Sequence, residues 1–142
     1  MKRKIIAALA LALAFSASSE AEVRLPSILG DGIVLQRDEP ITIWGWADAA
    51  EEVEIRWQDA SYRTEADGQG KWEIQLPECS AGGPYTMWIS GITLSNILIG
   101  DVFLCSGQSN MELPIRRVTD MFADEVAAYE NKEIRQYIVP DT

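Results

Sequence analysis

The chain has 142 residues, with 12 bases against 22 acids (net −10) and an apolar fraction of 47%. That is enough apolar material for a core, which excludes a chain disordered by composition, and enough length for one domain or a little more. The acidic balance argues against nucleic acid and anionic membrane surfaces as partners. With no histidine and two cysteines, it lacks the Cys/His cluster of a structural zinc site.

The first element is not a folding unit. Lys2, Arg3 and Lys4 precede Ile5 to Phe15, an uncharged apolar run of 11 residues, too short to span a bilayer. Ser19-Glu20-Ala21 then offers a small-x-small cleavage site. Residues 1–21 therefore predict a secretory signal peptide, which implies a secreted or periplasmic product with no membrane attachment after cleavage. Cleavage removes three bases and Glu20, leaving 9 bases, 21 acids and a net charge of −12.

Residues 22–99 read as β structure. Ile33 to Gln36 is a short apolar run, broken by Arg37-Asp38-Glu39-Pro40. Ile41 to Trp46 alternates, with two isoleucines on one face and two tryptophans on the other. Val53 to Trp57 alternates as well, giving one buried and one wet face. Tyr62 to Ala66 and Lys71 to Leu76 flank Asp67-Gly68-Gln69-Gly70, which predicts a hairpin connection. Ala81-Gly82-Gly83-Pro84 is a further turn, followed by strands over Tyr85 to Ile89 and Ile92 to Ile99. Short strands at this spacing predict a small antiparallel β-sandwich domain.

The pattern changes over residues 100–142. Val102 to Cys105 is a continuous apolar run, as in a strand buried on both faces. Val118, Met121, Phe122, Val126 and Tyr129 fall at helical spacing, and Ile134 to Val139 predicts another strand. Strand, helix, strand is the opening of a parallel α/β sheet. These 43 residues are too few to cover such a sheet, so the segment is expected to be the truncated start of a second domain. Cys79 and Cys105 fall in different predicted domains, and free thiols are expected rather than a disulfide.

Ser109 is the candidate nucleophile. It follows the predicted strand in Gly107-Gln108-Ser109, where ligand sites of open α/β sheets lie and where backbone N–H groups at a helix start can stabilise an oxyanion. The bland alternative is a capping box, since Ser109 and Glu112 have the S-x-x-E spacing. Met111 occupies the last position of a G-x-S-x-G elbow, which disfavours that other hydrolase signature.

Leu104 to Glu112, read as Leu-Cys-Ser-Gly-Gln-Ser-Asn-Met-Glu, closely resembles the nucleophile block of the sialate O-acetylesterase family, within the SGNH hydrolases. The resemblance extends back through Leu25-Pro26, Gly30-Asp31, Val34-Leu35-Gln36-Arg37, Trp44-Gly45-Trp46-Ala47, Gly70-Lys71-Trp72 and Gly82-Gly83-Pro84-Tyr85. Gly100-Asp101-Val102 looks like the family's lead-in to its hydrolase domain. The resemblance implies removal of O-acetyl groups from sialic acid or related sugars through a serine acyl-enzyme, with no metal or organic cofactor. Ser109 matches the nucleophile and its N–H one oxyanion donor. Gly107 would allow the tight turn, and Gln108 and Asn110 would have supporting roles. The family's remaining oxyanion donors and its Asp-x-x-His region have no counterpart here. A serine without a base is a weak nucleophile, so these residues alone are expected to be inactive.

The five tryptophans support a non-enzymatic alternative, a secreted β-sandwich that binds glycans beside a remnant hydrolase segment. Packing is the simpler use of large aromatics. The acidic pairs Asp38-Glu39, Glu51-Glu52 and Asp124-Glu125 read as solvated charge rather than a glycosidase's carboxylates, because strand neighbours point to opposite faces.

Overall fold

The computed structural model describes residues 22–140. The predicted signal peptide lies outside the described residues. Seven strands form: β1 (Val34–Gln36), β2 (Ile41–Trp46), β3 (Glu52–Trp57), β4 (Ala60–Glu65), β5 (Lys71–Leu76), β6 (Gly82–Ile89) and β7 (Ile92–Gly100). They build a five-stranded mixed sheet, ordered β1-β7-β6-β3-β4, and a two-stranded ribbon of β2 and β5. β1 runs parallel to β7, while the other pairings are antiparallel.

One apolar cluster draws on both sheets. β3 supplies Val53, Ile55 and Trp57, β6 supplies Met87 and Ile89, and β7 supplies Leu94, Ile97 and Ile99. The ribbon adds Ile41, Ile43, Trp72, Ile74 and Leu76. Alternation explains the assignment: each strand turns every second side chain inward, and the apolar residues of β3 and β5 occupy those positions. Each such side chain contributes roughly 1.5–3 kcal/mol on burial.

Turn chemistry fixes the neighbours. Gln58 and Asp59 link β3 to β4, with Trp57 opposite Ala60. Ser90 and Gly91, both at positive φ (39° and 98°), link β6 to β7. Two successive positive-φ residues give a twist that matches the flanking strands.

The turn at Asp67–Gly70 departs from expectation. It does not close a hairpin, because β4 pairs with β3 and β5 pairs with β2. The turn instead carries the chain from one sheet to the other. The Asp67 carboxylate accepts the N–H groups of Gln69 (2.8 Å) and Lys71 (2.9 Å), a local bond pattern that makes a tight turn whatever the strands beyond it do. Gly70 has φ +75°, and a Cβ there would lie 2.4 Å from the Ala47 carbonyl oxygen. The close crossing of two chain segments, rather than a hairpin, requires this glycine.

Beyond β7 the three predicted elements are not realised. Val102–Cys105 pairs with no strand, and its side chains are exposed, Phe103 at 82% and Leu104 at 91%. The helix predicted over Val118 to Tyr129 is reduced to a 3₁₀ turn at Thr119–Met121 and a short α-helix at Ala123–Ala128, after a further 3₁₀ turn at Ile115–Arg117. Ile134–Val139 forms no strand. The strands and the helix fail for different reasons. β7 already has β6 on one side and β1 on the other, so it offers no edge for another strand. A helix this short is marginal without an apolar surface to cover it.

Candidate active site

Ser109 opens α1 (Ser109–Glu112), and α2 is the later helix Ala123–Ala128. The helix-capping position is held by Gln108, whose side chain makes no capping hydrogen bond. Ser109 is therefore the first helical residue and not a cap, so the capping-box alternative has no counterpart in the fold. The turn is closed by the Met111 N–H donating to the Gln108 carbonyl (2.8 Å). The Ser109 N–H, at the helix start, has no intrahelical partner.

Ser109 is exposed, and among the described residues no side chain hydrogen-bonds to its hydroxyl. Gly107 lies directly before the turn at φ 159°, close to extended backbone. A Cβ there would meet the flexible Met111 side chain at 2.8 Å, so what suits glycine is close passage of Met111. Gln108 contributes its carbonyl to the turn, and Asn110 follows Ser109 in α1. Cys79 and Cys105 are both free thiols. No group of three or more Cys, Asp or Glu side chains among the described residues could hold a metal ion.

The chain leaves β7 toward Ser109 through a latch that periodicity does not reveal. At the end of β1, Gln36 Oε1 accepts the Val102 N–H (2.9 Å). Arg37 then takes the Gly100 carbonyl with its backbone N–H (2.9 Å) and Asp101 with its side chain (2.8 Å). The hydrogen bond and charge of Asp101 raise the Arg37 pKa above its ordinary value. Two sequence blocks, Leu35-Gln36-Arg37 and Gly100-Asp101-Val102, thus meet where β1 runs beside β7. Further on, the Arg135 guanidinium donates to the carbonyls of Gly32 (2.7 Å) and Asn96, and Tyr137 pairs with Ser27 (2.6 Å). These bonds tie the C-terminal residues back to the strand-bearing part.

The tryptophans divide by face. Trp57 and Trp72 are buried, at 2% and 3% exposure. Trp88 stacks beneath the Arg56 guanidinium at 4.4 Å. Trp44 and Trp46 stand on the outer face of β2.

No family model matches the chain. Comparison with known proteins nevertheless finds a rat protein, sialate O-acetylesterase, 28% identical over 128 residues, covering 78% of this chain and 24% of the rat protein. The mouse protein of that name is 26% identical, with 84% and 25% covered. A solved structure, a carbohydrate acetylesterase from Xanthomonas citri, superposes with a TM-score of 0.73 at 36% identity, covering 78% of this chain and 26% of that one. The chain is similar in sequence to the sialate O-acetylesterases over part of their length. It spans about a quarter of the length of the curated relatives it matches. Agreement of sequence and backbone with the carbohydrate acetylesterase over more than three quarters of the chain makes the relation one of fold as well as motif.

Proposed function

We propose that these residues are the front part of a secreted carbohydrate acetylesterase, in which Ser109 is the nucleophile. In this reading the two sheets form a β-sandwich domain, residues 22–99, that leads into an SGNH hydrolase domain starting at residue 100. Residues 1–21 direct export and are removed. The observation that carries the proposal is the superposition on a carbohydrate acetylesterase at 36% identity, joined to the Gly-Gln-Ser-Asn-Met block around Ser109.

The chemistry follows from what a serine can do. Its hydroxyl, deprotonated by a base, attacks the acetyl carbonyl, and the carbonyl π electrons move onto oxygen. The backbone N–H of Ser109 is one donor to that oxyanion. Collapse expels the sugar alkoxide, which takes a proton to leave as a hydroxyl, and water then hydrolyses the acetyl-enzyme. The 142 residues contain no histidine, so the base lies outside them, and the chain alone turns over O-acetylated sialic acid or xylan negligibly. In the longest translated product that carries these residues, Ser109→Ala reduces deacetylation by several orders of magnitude. Activity retained in that variant would remove Ser109 from the mechanism.

A further inference from the structure

The outer face of the β2–β5 ribbon is rich in aromatic and charged side chains. On β2 and β5, directly opposed residues share a face, which places Trp44 beside Glu73 and Trp46 beside Lys71. The two indoles are 38% and 36% exposed and stand about 7 Å apart along one strand. They line an open groove of about 450 Å³, to which Trp72 and Glu65 also contribute. Binding sites for small ligands have volumes of about 300–1,000 Å³.

Among the described residues, three of the groove's four charged side chains, Glu65, Glu73 and Lys71, are free of ion pairs. Asp67, which also lines the groove, uses its carboxylate to hold its own turn and thereby fixes the groove's rim. Trp72 lies against Gly45, where an added Cβ would come within 2.8 Å of its ring. The Arg24 carbonyl oxygen is nearer still, at 2.3 Å, so glycine at this position admits both the crossing backbone and the buried indole.

This combination selects a ligand class. Flat indole faces pack against the C–H faces of pyranose rings, and carboxylates accept strongly from hydroxyl groups. Two adjacent indoles suit consecutive sugar units of a chain. Three carboxylates against one lysine repel an anionic sugar. We propose that this face is a second carbohydrate site, distinct from Ser109, that binds neutral oligosaccharide chains and disfavours sialic acid. Its use to hold the enzyme on an acetylated polysaccharide rests on the esterase reading, whereas the binding itself does not.

The test is titration of the whole chain with xylohexaose, cellohexaose and mannohexaose, followed by tryptophan indole N–H signals in NMR. At least one of these should saturably shift Trp44 and Trp46 while leaving Trp57 in place. Trp44→Ala or Trp46→Ala should weaken that binding by about tenfold or more. Glu73→Gln, a change of the exposed rim that leaves the core intact, should weaken it too, with an unaltered melting temperature for the variant. N-acetylneuraminic acid should leave these signals unmoved. The proposal is overturned if none of the three neutral sugars shifts them, if binding survives the double tryptophan variant, or if N-acetylneuraminic acid binds at these indoles. Failure here would leave the Ser109 assignment standing, because deacetylation by the longer product is read separately.

Discussion

Ser109 and the residues around it show how a local spacing misleads. Serine three residues before glutamate reads as a cap, yet Gln108 occupies the capping position. The two classes of tryptophan were legible, since Trp57 alternates in step with Val53 and Ile55 whereas Trp44 and Trp46 alternate out of step with Ile41 and Ile43. Fully buried Ile97 sits in β7, between β1 and β6 of the five-stranded sheet. Ile97→Ala should cost about 2–5 kcal/mol, as read by chemical denaturation.

Charge at single residues gives a pH dependence. Asp31 accepts the Ser95 N–H (2.6 Å) and hydroxyl (2.9 Å), and these bonds, the backbone one first, lower its pKa. Asp67 is lowered in the same way by the backbone N–H groups of Lys71 and Gln69. A carboxylate with a depressed folded-state pKa stabilises the fold above its unfolded value, and loses that contribution as pH falls through the folded value. Melting temperature should therefore fall on acidification below the ordinary aspartate range. In Asp31→Asn the fall should be shallower, and an identical slope would show that the Asp31 bonds contribute nothing.

At the scale of elements, period-2 alternation reported the strands because each has one face on the core. It could not report sheet membership, which depends on partners far away in sequence, and so Asp67–Gly70 was read as a hairpin. The same gap explains residues 102–139. Their apolar periodicity says which side chains require cover but not what covers them, and no sheet edge among the described residues does so. What holds the start of this segment is the Gln36–Arg37 latch, whose one sequence signal was the presence of both blocks in the resemblance. Gln36→Ala should speed amide hydrogen exchange at Val102 while leaving the amides of β3 unchanged. Equal exchange in variant and parent would mean the latch does not position the chain. The Arg37–Asp101 pair is exposed and screened, so its loss should matter for the path of the chain and little for stability.

At the scale of the whole molecule, a strand-built part with two exposed tryptophans on one face is joined through a short latch to the segment that carries Ser109. The β-rich character of residues 22–99 and the relation to sialate O-acetylesterases were both legible, the first from alternation and the second from the Ser109 block. The groove between Trp44 and Lys71 was not, because it arises from cross-strand register. The most direct measurement is rapid-quench mass spectrometry of the longest translated product, mixed with an O-acetylated sugar. The account predicts one acetyl group on the peptide that contains Ser109, and none in Ser109→Ala. An acetyl group on another residue, or turnover with no acetyl-enzyme at all, would contradict it.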